Sequence, residues 1–136
     1  MLRALSRVMS RLARVVDADM VREQHLPLSE YTTLQVLSEA PGRQMRMNEL
    51  ATACNLSLSG ISRIVQRLES LGFVQRVRCV DDARGFNAVL TDAGLLRLQQ
   101  AWPSNLASVR RHIFAHLDGI DLTQVRRALE RIADAD

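Results

Sequence analysis

The architecture of this chain follows from one segment, Leu56-Ser57-Leu58-Ser59-Gly60-Ile61-Ser62-Arg63-Ile64-Val65-Gln66-Arg67-Leu68-Glu69. At 3.6 residues per turn its aliphatic side chains share one side of a helix, which can pack into a core. The opposite side carries Ser59, Ser62, Arg63, Gln66 and Arg67. Hydroxyl, amide and guanidinium groups together can bind phosphates and base edges, although an ordinary solvated helix face has the same composition.

A second, shorter helix is predicted immediately before this segment. Asn48 begins the run to Cys54 and is expected to cap it, and Asn55 to Ser57 then form the connection. Asparagine tolerates the left-handed backbone conformation that such a turn often requires. With Ser57 as the expected cap of the longer helix, the pattern predicts a helix-turn-helix.

After Gly72 the periodicity changes to that of β-strands. Strands are predicted at 73–79 and 86–90, joined by the Asp- and Gly-rich turn 81–85, and a short third strand is predicted at 44–47. One face of the first strand is expected to carry Phe73, Val77 and Cys79. The expected fold is therefore mainly α with a small antiparallel β wing, that is, a winged helix-turn-helix with further helices at both ends.

Several short motifs occur in the order found in one known family. They are Glu49-Leu50-Ala51, Ser59 to Glu69, Gly72-Phe73-Val74, Asp82-Ala83-Arg84-Gly85, Leu90-Thr91 and Gly94. Together they resemble MarR-type transcriptional regulators. The resemblance implies that Arg84 enters a minor groove from the wing tip, with Asp82 holding its guanidinium and Gly85 completing the turn. The physical basis is a bidentate carboxylate that fixes an arginine, and a narrow groove with strong negative potential.

The DNA contacts expected from this resemblance come from the longer helix and from the wing. They are assigned to Ser57, Ser59, Ser62, Arg63, Gln66, Arg67 and Arg84. The sequence does not distinguish the side chains that read bases from those that bind phosphates.

Helices at both ends of the chain carry wide apolar stripes. The chain is interpreted as one domain, 1–136, in which residues 28–94 form the DNA-binding lobe and residues 1–25 and 95–136 form dimerisation helices. Ser29, Thr91 and Asp121 are expected helix caps, and Pro103 predicts a kink or break near Trp102. A two-fold dimer predicts a pseudo-palindromic operator with half-sites about one DNA turn apart.

Composition limits the other classes of function. All 18 basic residues are arginine, but the formal net charge is only +3, so the placement of the arginines carries more weight than their number. No catalytic constellation, phosphate loop, secretory signal or apolar run of spanning length is visible. We therefore expect a cytoplasmic DNA-binding protein that is not an enzyme and that has no cofactor and no membrane partner.

Three features leave further possibilities open. The resemblance implies a crevice for a small aromatic or drug-like effector, with His25, Tyr31 and Trp102 as wall residues, although Trp102 is favoured as a core residue. His112 and His116 have metal-ligand spacing, with His25 as a third candidate, but no further ligands are identifiable and no metal is assigned. Cys79 is expected to pack rather than act as a redox switch.

The main alternative is a winged helix that binds other proteins without DNA specificity. That interpretation requires the surface of Arg63, Arg67 and Arg84 to be covered by another chain or neutralised by acids. Residues 48–91 favour instead a DNA-binding regulator, and the apolar terminal helices favour a homodimer, with repression as the expected mode of action.

Overall fold

The computed structural model of the chain describes residues 1–81 and 85–135. Its helices are α1 (Leu2–Gln24), α2 (Leu28–Glu39), α3 (Met47–Ala53), α4 (Leu58–Ser70), α5 (Asp92–His112) and α6 (Leu122–Ala133). Its strands are β1 (Gln44–Arg46), β2 (Val74–Arg78) and β3 (Phe86–Leu90), and short 3-10 turns occupy Pro41–Arg43 and Phe114–His116. The expected mainly helical winged fold is confirmed.

The three strands form one antiparallel sheet in the order β1-β3-β2. β3 is central, with Arg46 opposite Asn87 on one side and Val74 opposite Leu90 on the other. Val74 is buried, whereas Val77 is 47% exposed. On the strand face predicted to carry Phe73, Val77 and Cys79, the first and last of these are half-buried and Val77 is exposed. The strand enters the core only at Val74 and then leaves the body of the protein.

A single hydrophobic cluster joins the helix-turn-helix to the first and fifth helices. Its members with no exposed surface are Met20, Leu34, Leu37, Leu50, Ile61, Val65, Leu68, Ala88 and Ala101. These residues come from α1 to α5 and from the sheet. The position of α4 is consequently fixed by packing against most of the molecule.

Three of the predicted helix caps are confirmed. Ser57 accepts a hydrogen bond from the Gly60 amide, and Thr91 accepts one from the Gly94 amide. Asp121 accepts from two amides of the first turn of α6. Each cap satisfies amides that have no partner within the helix.

The caps predicted at Ser29 and Asn48 are wrong. α2 begins directly after Pro27, whose fixed φ starts the helix, and the Leu28 amide donates to Asp17 Oδ1 of α1 at 2.8 Å. A carboxylate from another helix thus replaces the local cap. Asn48 lies inside α3, which begins at Met47, and its Oδ1 accepts from the next amide in the chain.

α5 continues through Pro103, so of the predicted kink or break near Trp102 the break does not occur. Leu98, Ala101 and Ser108 are buried along this helix. The packing of both halves of α5 outweighs the backbone hydrogen bond that proline removes. Trp102 is 61% exposed, and its expected place in the core is wrong.

A close approach between backbones joins α5 to the wing. The Thr91 amide donates to the Phe73 carbonyl at 3.1 Å, and the Thr91 hydroxyl donates to the Gly72 carbonyl at 2.7 Å. A Cβ at Gly94 would lie 2.1 Å from the same Phe73 oxygen. Glycine is therefore required where α5 crosses the start of β2.

Buried Asp19 connects α1 to α5. Its carboxylate accepts from Arg22 and Ser108 at 2.7 Å each, and it lies 3.0 Å from His112 Nε2 and 3.3 Å from Arg111. The hydrogen bond from Ser108 is the largest of the effects that hold the pKa of Asp19 far below its ordinary value, against the opposing effect of burial.

No helix within 1–81 or 85–135 has both the length and the apolar character needed to cross a bilayer.

Candidate nucleic-acid interface

α3 and α4 meet in a tight turn centred on Asn55. Asn55 has a φ of 58°, which is the left-handed conformation predicted for it. The Leu56 amide closes the turn by donating to the Ala51 carbonyl at 2.9 Å. Leu50 and Ala51 are buried beneath the turn. The turn and the buried side chains together set the angle at which α4 projects from the fold.

α4 separates its apolar and polar residues as the sequence predicts. Ile61, Val65 and Leu68 are buried, whereas Ser59, Arg63 and Gln66 are exposed. Ser57 is exposed as well, but its hydroxyl also caps the helix, so a DNA contact there must share the oxygen with the Gly60 amide.

Arg63 lies at the centre of this polar surface. Its guanidinium forms no hydrogen bond or ion pair with any residue of 1–81 or 85–135. An arginine without an intramolecular partner has all five N–H donors available for phosphate or base acceptors. Among the predicted contacts on α4, Arg63 is therefore the most readily available cation.

A small cleft of about 290 Å³ separates α4 from the wing. Ser62, which is half-buried, lines it together with Arg46, Asn48, Arg76 and Phe86. Two guanidiniums, an amide and a hydroxyl thus face one concave surface beside the polar side of α4. These groups extend the set that can contact a nucleic acid beyond the helix itself.

Arg67 differs from Arg63 because it has an intramolecular partner. Its Nε donates to Glu30 Oε1 at 2.5 Å, and the Glu30 side chain is only 4% exposed. The Arg67 side chain is nevertheless 61% exposed. The pair ties the last turn of α4 to the first turn of α2.

A second ion pair ties the end of α4 to the wing. Glu69 accepts from the Arg76 backbone amide at 3.1 Å and from the Arg76 guanidinium at 3.3 Å. Arg76 thus has part of its hydrogen-bonding capacity occupied. A carboxylate that binds both backbone and side chain of β2 fixes the strand against α4.

The described part of the wing is ordered by side-chain contacts across its strands. Cys79 Sγ donates to Asn87 Oδ1 at 3.2 Å, and Asn87 Nδ2 donates to Gln44 Oε1 at 3.3 Å. Arg78 lies over the Phe86 ring, 5.8 Å from its centroid. Gly85 accepts a backbone hydrogen bond from Cys79, whereas Asp82 and Arg84 lie outside the described residues.

The sequence interpretation did not identify Arg46 and Asn48 as parts of this surface, or Glu30 as the buried partner of Arg67. Arg46 is the last residue of β1 and lies opposite Asn87 of β3. Had the sequence specified how β1 pairs with β3, Arg46 could have been placed beside the wing. Glu30 carries no such signal, since an acid in the first turn of a helix is ordinarily a favourable, solvated residue. Its partner lies 37 positions away in the sequence.

The predicted effector residues lie in different environments. Tyr31 is buried, and burial raises the pKa of its hydroxyl. His25 is exposed and ends α1 in a left-handed conformation, and Trp102 is exposed on α5. None of the clefts described for residues 1–81 and 85–135 is lined by these side chains, so their role as effector contacts stays a prediction.

A different cleft lies between α1 and the helix-turn-helix. It has a volume of about 520 Å³ and is lined by Ser10, Ala13, Arg14, Asp17, Leu28, Ser29, Thr32, Cys54 and Leu56. Burial raises the pKa of the Cys54 thiol, which is 3.8 Å from the Thr33 hydroxyl. The cleft therefore combines a cation, a carboxylate and a protonated thiol with apolar walls.

Two of the three candidate metal ligands, His112 and His116, line one cleft, whereas His25 ends α1. His112 is bound to Asp19, and His116 lies in the 3-10 turn after α5. Within the part of the chain that the structure describes, no group of three or more His, Cys, Asp or Glu side chains is arranged to hold a metal ion.

Comparison with known proteins gives consistent matches. The model of the MarR family matches residues 26–85. AbsC, a MarR family transcriptional regulator from Streptomyces coelicolor, is 38% identical, with a TM-score of 0.83 over 98% of this chain and 89% of AbsC. Sco3205, another MarR family regulator from that organism, was solved in complex with DNA. It is 31% identical, with a TM-score of 0.86 over 98% of this chain and 84% of its own.

A mycobacterial repressor is a further relative. The HTH-type transcriptional repressor Rv2887 from Mycobacterium tuberculosis is 28% identical over 107 residues, which are 79% of this chain and 75% of the repressor. Its structure in complex with p-aminosalicylic acid superposes with a TM-score of 0.75 over 98% of both chains.

Proposed function

The chain belongs to the MarR family of transcriptional regulators, and we propose that it represses transcription as a homodimer bound to a pseudo-palindromic operator. The observation that carries this proposal is the polar surface of α4, with exposed Arg63 at its centre and Ser59 and Gln66 beside it. A core that extends through the molecule supports this helix from behind. Two relatives support the same function, because Sco3205 was solved in complex with DNA and Rv2887 is named a transcriptional repressor.

Uncovered apolar side chains support the homodimer. Leu2 to Arg11 of α1 are all exposed, and no residue of α6 is buried. Leu122, Leu129 and Ile132 of α6 are large aliphatic side chains left in contact with water. A second copy that covers both terminal helices would remove this apolar surface from solvent and relate two α4 helices by a two-fold axis.

A small aromatic effector is the proposed means of regulation. Rv2887 binds p-aminosalicylic acid, which carries an aromatic ring and a carboxylate. The cleft between α1 and the helix-turn-helix offers the Arg14 guanidinium beside apolar walls. A ligand there alters DNA affinity only if it binds the DNA-competent and incompetent forms differently.

We infer no catalytic activity, and we assign the protein to the cytoplasm, where a regulator of this family meets its operator.

The proposed function is tested by selection from random DNA duplexes at two salt concentrations. The expected result is a palindrome with half-sites about one helical turn apart. Arg63→Ala and Arg84→Ala should each weaken binding to it about tenfold, and binding should weaken as salt increases. Arg127→Ala removes the same charge from the outer face of α6 and should leave affinity unchanged.

The same experiment distinguishes the alternative function. If the wild-type protein selected no sequence and bound duplexes no better than Arg63→Ala, DNA recognition would be rejected. A protein partner for the α4 surface would then have to be sought.

A further inference from the structure

Arg67 occupies the side of the α4 polar surface that faces α2. Its Nε is bound to Glu30, while Arg63 one turn earlier has no such partner within the described ranges. This contact uses only the Nε–H at one edge of the planar guanidinium. The terminal nitrogens, which carry four N–H donors, form no hydrogen bond within residues 1–81 and 85–135. These donors are therefore available on an exposed side chain whose direction is restricted.

Glu30 is an unusual residue for its position. A buried carboxylate loses its hydration and requires a compensating partner, and Arg67 is its only ion-pair partner in the described structure. Stability does not explain the arrangement by itself, because an apolar residue at position 30 would avoid the desolvation cost altogether. A buried acid that holds an exposed base is instead suited to fixing the direction of that base.

We propose that Glu30 is a positioning residue that holds Arg67 so that its terminal nitrogens bind a phosphate of the operator. This inference rests on the proposed function and deepens it. Phosphate is the expected acceptor because Arg67 lies at the side of the polar surface, and the sides of a helix in the major groove face the sugar–phosphate backbones. Arg63, at the centre of that surface, faces the base edges.

A purely electrostatic role of Glu30 and a positioning role predict opposite effects of Glu30→Ala on DNA affinity. Glu30→Ala removes a negative charge near DNA, so an electrostatic role alone would strengthen binding at low salt. If Glu30 aims Arg67, the same substitution weakens binding, since the guanidinium must then be ordered at the expense of side-chain entropy. Glu39→Ala removes the same charge from the exposed end of the same helix and is the matched control.

The experiment measures affinity for the selected operator as a function of salt concentration. Arg67→Ala should lower affinity about tenfold and reduce the slope of log K against log salt by about 0.9, the value for one phosphate contact. Glu30→Ala should lower operator affinity to a similar extent. The variant that carries both Glu30→Ala and Arg67→Ala should bind the operator no more weakly than Arg67→Ala alone. Glu30→Gln keeps an acceptor for Nε and should recover much of the affinity. Glu39→Ala should bind as the wild type does.

Arg67→Lys provides a test that does not depend on folding without Glu30. Its single ammonium group cannot bind Glu30 through one nitrogen and a phosphate through two others, so it should lose affinity although the charge is kept. Thermal unfolding of each variant identifies any loss of fold.

Two results would overturn the inference while leaving the proposed function intact. One is operator binding by Arg67→Ala with unchanged affinity and salt slope. The other is folded Glu30→Ala binding as tightly as Glu39→Ala. Failure of the wild-type protein to select any sequence would reject the proposed function, and this inference with it.

Discussion

Asp19 and Glu30 are buried carboxylates whose charges are compensated by residues distant in sequence. Ser108, 89 positions from Asp19, supplies the hydrogen bond that most lowers the pKa of that carboxyl. Glu30 forms its ion pair with Arg67, 37 positions away. Neither pair produces a local sequence pattern. Ser57 and Asn55 could be predicted because their roles depend on residues within three positions.

Replacing Asp19 by Asn should destabilise the protein in a manner that depends on pH. The depressed pKa means that the native state favours ionised Asp19, so this stabilisation is complete at neutral pH. It is lost as the pH falls below the ordinary aspartate value of 3.8 toward the lower native pKa. We expect a loss of about 2 kcal/mol in unfolding free energy at pH 7.

The measurement is urea unfolding of both proteins between pH 7 and pH 2.5, at one fixed protein concentration. The difference in unfolding free energy between the wild-type protein and the Asp19→Asn variant should become smaller as the pH falls. A difference that stayed constant down to the lowest pH would show that Asp19 acts through packing and not through its charge.

At the scale of elements, the sequence predicted the helix-turn-helix, the wing and most caps because each depends on local periodicity and turn chemistry. The start of α2 could not be predicted in this way, since Asp17 of another helix binds its first amide. The exposure of Val77 on β2 could not be predicted for a related reason. Alternation identifies two faces, but the departure of the strand from the core beyond Val74 is a property of the tertiary structure.

The contact between α5 and β2 gives a prediction at this scale. Gly94→Ala places a methyl group against the Phe73 carbonyl oxygen, which belongs to the backbone and cannot rotate away. The first turn of α5 must shift, and we expect a loss of about 3 kcal/mol in unfolding free energy, at the upper end for overpacking. Ala93→Gly, at the exposed neighbouring position, should cost about 1 kcal/mol through helix propensity alone. Equal losses in the two variants, measured by chemical denaturation, would contradict the close contact.

At the scale of the whole molecule, the sequence indicated that the terminal helices have more apolar surface than one chain covers. Their exposure in the structure agrees with that expectation, and the assignment of residues 1–25 and 95–136 to dimerisation stays a prediction. The contacts within a dimer depend on the pairing of two surfaces, which periodicity in one sequence does not specify.

Leu129→Glu tests the dimer directly. Leu129 lies on the apolar stripe of α6 and is 51% exposed in the single chain. A charge buried in an interface should shift the protein to monomers at micromolar concentration and lower operator affinity at least tenfold, because the two half-sites are then bound separately. Arg127→Glu, on the opposite side of α6, should remain dimeric. Sedimentation velocity provides the measurement, and an unchanged sedimentation coefficient for Leu129→Glu would exclude α6 from the interface.

The first turn of α2 carries two inter-helix hydrogen bonds. Leu28 binds Asp17 of α1 through its backbone, and Glu30, two residues later, binds Arg67 of α4 through its side chain. A helical turn moves as a rigid unit, so displacing it from α1 also changes the anchorage of Arg67. Asp17 and Leu28 line the cleft beside α1, so this turn connects that cleft to Arg67 on the surface offered to DNA.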